Sequence, residues 1–108
     1  MAEILMAQFD VYRNPSERTR RAMPWLLSVQ HDGVSETSSV LVIPLATPLK
    51  LSTASRLYPT FQIQGRAFMM LTPDMASLPR SLLKTPVVSL ADQRASIVAA
   101  VDILFVRS

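Results

Sequence analysis

Only one stretch of the chain has the apolar periodicity of a long helix, and it lies at the C-terminal end. Residues 89–108 read SLADQRASIVAAVDILFVRS, are rich in Ala and contain neither Gly nor Pro, which favours a helix. Shorter stretches with strand-like alternation precede it. Strands that follow one another before a single helix are typical of an antiparallel sheet rather than of alternating strand–helix units. We therefore predict an α+β fold, mainly antiparallel, forming a single domain over residues 1–108.

The predicted helix carries two lines of side chains at helical spacing. Ser89 is a candidate N-cap, and Asp92 adds negative charge to the first turn. The line that we expect to pack on the sheet consists of Leu90, Ile97, Val101 and Leu104. A second line around the side consists of Val98, Asp102 and Phe105. An aromatic ring near the end of a helix is compatible with a contact for a partner protein, and equally with a core helix that frays.

The earlier part of the chain predicts several strands. Alternation indicates half-buried strands at residues 8–13 and 25–31, and an apolar run indicates a central strand at residues 40–45. We expect Pro44 to end or to bulge that central strand, because proline donates no hydrogen bond. Gly65 marks the turn of a hairpin between residues 61–63 and 67–71.

The remaining stretches are expected to be connections. Residues 1–7 are interpreted as an extension, and residues 14–23 as an exposed loop. Residues 72–79 are expected to form a crossing rich in turns, residues 80–83 a helical turn, and residues 87–88 a short strand before the helix.

A cluster of basic residues falls in and beside the first loop. It consists of Arg13, Arg18, Arg20 and Arg21. The whole chain has 11 Lys and Arg against 8 Asp and Glu, a net charge of +3, and its other basic residues are scattered, so one basic loop is a weaker signal than the basic face of a dedicated DNA-binding protein. Three interpretations stay open: a solvated loop, a nucleic-acid surface, and a surface for an acidic protein segment.

The residue inventory argues against an enzyme. The chain has two glycines, too far apart for a phosphate-binding loop, and a single histidine, His31, without a nucleophile motif. One His, no Cys and dispersed acids disfavour a metal site, and we expect no cofactor. The absence of Cys, of a basic signal region and of an apolar run of about 18 residues leads us to expect a cytoplasmic protein without a membrane segment.

Several short motifs, in their order and spacing, resemble the CcdB family. They are Gln8-Phe9-x-Val11-Tyr12, Val29-Gln30, Val42-Ile43-Pro44-Leu45-Ala46, Leu57-Tyr58-Pro59, Met69 to Pro79, and Leu104-Phe105. The resemblance implies an antiparallel sheet related to the SH3-like barrel, with a smaller β wing and one C-terminal helix. It also implies a homodimer with Val101 and Leu104 at the interface.

The function implied by the resemblance is that of a toxin from a type II toxin–antitoxin module. Such a toxin binds the A subunit of DNA gyrase and traps the enzyme with cleaved DNA, without itself making or breaking a bond. The implied gyrase contacts are Val34, Asp102, Phe105, Val106, Arg107 and Ser108. A CcdA-like antitoxin with a flexible acidic segment would contact Arg13, Arg18, Arg20 and Arg21. DNA would be met only indirectly, when toxin and antitoxin together repress their promoter.

The chain departs from the family at the proposed gyrase contact. Well-known members end in Trp-Gly-Ile, whereas this chain ends in Val106-Arg107-Ser108. Asp102 stands where an amide is common, and Gly33 and Val34 replace bulkier aliphatic residues. Three outcomes therefore stay open: a gyrase poison with different contact chemistry, a toxin for another topoisomerase, and a dimeric binding module that acts with its antitoxin but poisons nothing.

Overall fold

The computed structural model describes residues 7–30, 38–48 and 55–106. Within these residues the strands are β1 (Asp10–Arg13), β2 (Trp25–Ser28), β3 (Ser39–Ala46), β4 (Thr60–Ile63), β5 (Arg66–Met70), β6 (Ala76–Pro79) and β7 (Val88–Ser89). The helix α1 spans Arg94–Phe105, and short 3-10 turns occupy Thr72–Asp74, Arg80–Leu82 and Ala91–Gln93. All strands thus precede the one α-helix of the described part, as the sequence predicted.

The strands form one antiparallel sheet that curls into a nearly closed barrel. Its order is β4-β5-β3-β2-β1-β7, and β6 pairs with β3 beside this path. The long strand β3 is shared between two regions, since β6 pairs with Ser39–Val42 and β5 with Leu45–Ala46. We call the pair of β6 with residues 39–42 the wing. The predicted α+β class, with a smaller wing and one C-terminal helix, is confirmed.

Buried side chains form two cores on opposite faces of the sheet. The main core, under α1, contains Phe9, Val11, Leu27, Ile43, Leu45, Phe61, Ile63, Phe68, Met70, Leu90, Ile97 and Ala100. The wing core contains Tyr12, Leu26, Val40, Val42 and Leu83. Because β3 supplies side chains to both cores, the prediction of a central strand that is apolar on both faces is confirmed.

The hairpin of β4 and β5 has the turn that its glycine predicted. Gln64 has φ 52° and Gly65 has φ 81°, so both central residues adopt the left-handed conformation. Two left-handed residues are the hallmark of the turn whose twist matches that of the paired strands. The predicted helical turn at residues 80–83 is also present, as the 3-10 turn Arg80–Leu82.

The expectation that Pro44 ends or bulges β3 is wrong. The strand continues to Ala46, and Pro44 lies opposite Leu26 of β2. The Pro44 carbonyl accepts a hydrogen bond from the Leu71 N–H at 2.9 Å. Proline removes only the donor of a position, and here the acceptor continues to hold the neighbouring chain.

The crossing predicted for residues 72–79 is only half correct. Thr72–Asp74 is a turn, but Ala76–Pro79 is the strand β6, paired with β3. Its side chains are exposed or half-buried, so they show none of the apolar alternation by which a strand is recognised in a sequence. The second strand is shorter than predicted, ending at Ser28 rather than at residue 31.

The helix begins five residues later than the predicted start at Ser89. Ser89 belongs to β7, opposite Asp10, and the Leu90 N–H donates to the Phe9 carbonyl at 2.8 Å. This pairing with β1 keeps the chain extended where local sequence favours a helix. The Ser89 Oγ accepts a hydrogen bond from the Ala91 N–H at 3.1 Å, but the prediction that Ser89 is the N-cap is wrong, because Leu90 precedes the 3-10 turn and Gln93 precedes α1.

Candidate functional site

The C-terminal end of α1 presents two exposed apolar side chains, Phe105 and Val106, which we call the tip. Phe105 is 67% exposed and Val106 75% exposed. Among the described residues these are the most exposed of the large apolar side chains. Because water solvates such groups poorly, this exposed pair at the end of the helix is a candidate contact surface.

The tip is held in place by the buried face of the same helix. Ile97 and Ala100 are 1% and 0% exposed and pack in the main core. Asp102 is exposed, and its carbonyl accepts a hydrogen bond from the Val106 N–H at 2.8 Å, which closes the last turn. The predicted second line is thus found: Val98 packs against the core, while Asp102 and Phe105 face outward.

An apolar hollow of about 210 Å³ lies directly beside the tip. Phe105 forms one side of it, and other lining residues are Phe9, Val29, Leu41, Met75 and Val101. Val101 is half-buried and packs against the main core, and Leu104 is also half-buried. The two residues predicted for a dimer interface therefore lie next to the tip on the same helix, and both keep part of their surface accessible.

Phe9 forms a wall of this hollow in a strained backbone conformation. Its φ is 72°, which is rare for a residue with a bulky side chain, although the residue is only 4% exposed. Its N–H donates to the Ser28 carbonyl at 2.6 Å, and its carbonyl accepts from Leu90. The Arg94 guanidinium lies 5.7 Å from the ring centroid. Sequence reasoning assigned Phe9 only to a strand face, because nothing in a residue pattern reports φ.

The loop between β1 and β2, residues 14–24, is ordered by a buried asparagine. We call it the arginine loop. Asn14, which is 5% exposed, donates from Nδ2 to the Thr19 hydroxyl at 2.9 Å and to the Met23 carbonyl at 2.8 Å. Its Oδ1 accepts from the Ser16 N–H at 3.0 Å. One side chain thus fixes three points of the loop, and the predicted exposed loop is also a rigid one.

The four predicted antitoxin-binding arginines do not share one environment. Arg20 turns back on its own loop, where Nε donates to the Asn14 carbonyl at 2.8 Å and Nη2 to the Pro15 carbonyl at 3.1 Å. Arg13, Arg18 and Arg21 are exposed. Arg20 therefore supports the loop, and the other three present their charge to solvent.

The tip and the arginine loop lie at opposite ends of the β1–β2 pair. The loop follows Arg13, whereas the hollow beside the tip is formed by Phe9 and Val29 at the other ends of these strands. At about 3.3 Å per strand residue, the four residues of β1 separate them by roughly 13 Å of backbone. The other proposed contacts, Val34, Arg107 and Ser108, lie outside the described residues.

Tyr12 is a buried titratable residue that belongs neither to the tip nor to the arginine loop. It is fully buried in the wing core, and burial, followed by the negative charge of Asp10, raises its pKa to about 12, while Arg80 acts in the opposite direction. Its hydroxyl finds no hydrogen-bond partner in the described part of the chain. Tyr12 is therefore neutral at physiological pH and acts as a packing residue.

Two further searches concern only residues 7–30, 38–48 and 55–106. No group of three or more His, Cys, Asp or Glu side chains is placed to hold a metal ion there. No helix in these ranges has the length and apolar character needed to cross a membrane.

A comparison with protein families identifies one matching model. The family described as CcdB protein matches residues 8–106 of the 108-residue chain. The match therefore includes the arginine loop, both cores and α1 with its tip.

Proposed function

The chain belongs to the CcdB family, the gyrase-inhibiting toxins of toxin–antitoxin modules, and from this premise we propose that it binds the A subunit of DNA gyrase through the tip. The observation that carries the proposal is the exposure of Phe105 and Val106 on a helix whose opposite face is locked into the core. Aromatic residues, including Phe, are enriched at the cores of protein interfaces.

The proposed mechanism is inhibition by binding, without catalysis. A ligand that binds one conformation of an enzyme better than the others shifts the population toward that conformation. A toxin that binds gyrase best while the DNA is cleaved would therefore hold the enzyme in that state. Asp102 lies one turn before the tip and is exposed, so it belongs to the same contact, and we extend this contact to Arg107, Ser108 and Val34.

Compared with the Trp-Gly-Ile ending of other members, this contact has a different chemistry. Val106 offers a small aliphatic surface where an indole would bury more area and donate a hydrogen bond. We propose that Phe105 is the main apolar anchor in this chain.

We propose that the active form is a homodimer with Val101 and Leu104 at the interface. Both side chains are half-buried, and Val101 lines the apolar hollow beside the tip. A two-fold interface uses the same patch twice. Partly exposed aliphatic residues next to an apolar hollow are compatible with such a self-complementary patch. An interface at this patch would bring the tips of the two protomers to one side of the dimer.

For neutralisation, we propose that a CcdA-like antitoxin uses an acidic segment that binds Arg13, Arg18 and Arg21. Arg18 and Arg21 are exposed on a loop that Asn14 and Arg20 make rigid, and Arg13 is exposed at the end of β1, where that loop begins. Arg20 contributes by holding the loop. The complex would act in the cytoplasm, where gyrase is found, and would meet DNA only through the antitoxin.

The test is a supercoiling assay with purified protein and gyrase from the same organism. Loss of supercoiling together with linear DNA in the presence of ATP is the expected result and would support poisoning through the altered tip. Loss of supercoiling without linear DNA would show that the protein inhibits gyrase but does not trap cleaved DNA. No effect at high protein concentration would contradict the gyrase proposal and favour the dimeric module that acts with its antitoxin alone.

A further inference from the structure

The turn that leads into β1 has a phenylalanine at a position where glycine is usual. The Asp10 N–H donates to the Ala7 carbonyl at 3.2 Å, and the Ala7 N–H donates to Asp10 Oδ2 at 3.1 Å, so the turn is closed twice. Phe9 is the third residue of this turn, and its φ is 72°. A positive φ at the third position is typical of the type II turn, where glycine is preferred because it has no Cβ. The backbone alone therefore disfavours Phe9, and contacts of its side chain offset that cost.

The Phe9 ring lies between the main core and the hollow beside the tip. The residue is 4% exposed, belongs to the main core and lines the hollow. Arg94, the first residue of α1, lies over the ring, with its guanidinium carbon 5.7 Å from the ring centroid. Arg94 Nη1 also donates to Gln8 Oε1 at 3.3 Å, and Gln8 Nε2 donates to the Val29 carbonyl at 3.2 Å. These contacts tie the turn to α1 on one side and to the residue after β2 on the other.

Arg94 begins a line of α1 residues that ends at Phe105. The positions 94, 98, 101 and 105 have the spacing of one helix face. Val98, Val101 and Phe105 line the hollow together with Phe9. Phe105 is 67% exposed although this apolar space lies beside it, and a ring that turned into the hollow would leave water. The gain from turning inward depends on the size of the hollow, which the Phe9 ring limits on the side of β1.

We propose that Phe9 is a positioning residue of the target contact: its ring, held by the turn and by Arg94, limits the hollow so that Phe105 stays turned outward. The inference rests on the proposed gyrase contact of the tip and adds a residue that acts on this contact through Phe105. Phe9 itself is too buried to touch the target. Without its ring the hollow would extend toward the core, Phe105 would gain apolar contacts by turning inward, and less of Phe105 would remain for the target.

The experiment compares Phe9→Leu with Phe61→Leu in the full chain. Both residues belong to the main core, at 4% and 5% exposure, but Phe9 lines the hollow and Phe61 does not. Leucine keeps the Cβ, so the two changes differ mainly in where a ring is lost. Incorporation of para-fluorophenylalanine gives a fluorine NMR signal for each of the four phenylalanines, and Phe→Leu changes assign the signals. The difference of a signal between ordinary and heavy water reports the solvent exposure of its ring.

A second set of variants tests the role of Arg94. Arg94→Met removes the charge and keeps an aliphatic stem, whereas Arg94→Lys keeps a cation and a donor for Gln8 Oε1. The matched control is Arg66→Met at the exposed start of β5. Arg94 is exposed as well, so these changes should leave the fold intact.

We expect Phe9→Leu to raise the concentration needed for gyrase inhibition by about fivefold more than Phe61→Leu does, and to lower the solvent sensitivity of the Phe105 signal. Arg94→Met should raise that concentration by about three- to fivefold, while Arg94→Lys and Arg66→Met stay within about twofold of the original chain. Equal inhibition by Phe9→Leu and Phe61→Leu would overturn the inference, because Phe9 would then act only through core packing. An unchanged Phe105 signal in Phe9→Leu would overturn it too, and unchanged inhibition by Arg94→Met would overturn the role of Arg94.

The fluorine measurement needs no gyrase, so it separates this inference from the gyrase proposal. If the original chain has no effect on gyrase, the gyrase proposal is wrong, and the Phe105 signal still decides whether Phe9 keeps that ring turned outward. If the original chain inhibits gyrase and the Phe105 signal is the same in Phe9→Leu, the gyrase proposal stands and the positioning role of Phe9 is wrong.

Discussion

The change Phe105→Ala should remove target binding while the fold stays intact. Full burial of a Phe side chain contributes about 1.5–3 kcal/mol to stability. Phe105 is 67% exposed, so only a third of its surface is buried in the free chain. Truncation should therefore lower the free energy of unfolding by about 0.5–1 kcal/mol. By contrast, Ile97→Ala, at a position that is 1% exposed, should cost about 2–5 kcal/mol.

The two effects are measured separately. Urea denaturation of the purified variants gives the change in unfolding free energy, and the supercoiling assay gives the concentration needed for inhibition. A contact residue that dominates an interface contributes about 2 kcal/mol or more, which corresponds to a roughly 30-fold loss of affinity. We expect the concentration of Phe105→Ala needed for inhibition to be at least about 30-fold higher than that of the original chain. We expect its free energy of unfolding to differ from that of the original chain by no more than about 1 kcal/mol.

Leu82→Ala serves as the matched control, because Leu82 is a large apolar residue that is 44% exposed in the Arg80–Leu82 turn, outside α1. It should change neither inhibition nor stability by much. The reasoning would be refuted if Phe105→Ala inhibited gyrase as well as the original chain, since the tip would then not be the contact. If Phe105→Ala lowered the free energy of unfolding as much as Ile97→Ala does, the claim that Phe105 contributes little to the stability of the fold would be refuted.

Three further predictions concern the rest of the molecule. Asn14→Ala removes the hydrogen bonds to Thr19 and Met23 and should lower the free energy of unfolding, measured by urea denaturation, by about 1–3 kcal/mol. It should also weaken binding of a peptide from the acidic segment of the antitoxin, and unchanged binding would show that a rigid loop is unnecessary. The unfolded Tyr12 loses its proton near pH 10 and the folded one only near pH 12, so the stability that the raised pKa provides is fully present below pH 10 and is lost as pH rises to 12. Tyr12→Phe should flatten this part of the profile, and an unaltered slope would contradict the assignment. Truncation after Leu104 should abolish gyrase inhibition but spare peptide binding, and loss of both would show that the two surfaces overlap.

Features that depend on side-chain periodicity were predictable from the sequence. The central strand β3 has apolar residues at successive positions, and only burial on both faces accommodates them. On the predicted buried face, Ile97 and Val101 pack in or against the main core, although Leu90 precedes the helix; on the second line, Asp102 and Phe105 are exposed while Val98 packs inward. In both cases the side chains themselves report which surface faces the protein interior.

Features that depend on backbone pairing with distant residues were not predictable in this way. The start of α1 was placed too early because local sequence favours a helix at Leu90, while its N–H is used by the Phe9 carbonyl. The strand β6 forms because β3 offers it a partner, although its side chains carry no strand pattern. The positive φ of Phe9, whose N–H and carbonyl pair with Ser28 and Leu90 far away in the chain, likewise has no counterpart in the local residue pattern.

The arginine loop shows why composition alone assigns a charged site poorly. Four arginines were grouped because they are close in sequence, but Arg20 is used to hold the backbone of its own loop. A guanidinium that donates to two carbonyls is already engaged and is a poor candidate for a partner's carboxylate. The exposed Arg13, Arg18 and Arg21 are the ones that we propose for that role.

The residues of α1 that stabilise the fold are different from those at its exposed C-terminal end. For this reason the sequence of that end can change while the fold is kept. Ile97 and Ala100, which pack in the main core, lie on the buried face. Phe105 and Val106 bury little surface, so substitutions there change stability only slightly. The tip can therefore acquire a new contact chemistry without repacking the core. It follows that the choice of target should depend on the proposed contact residues, chiefly Asp102 and residues 105–108, whereas the scaffold that presents them depends on the core residues of the sheet and of the buried helix face.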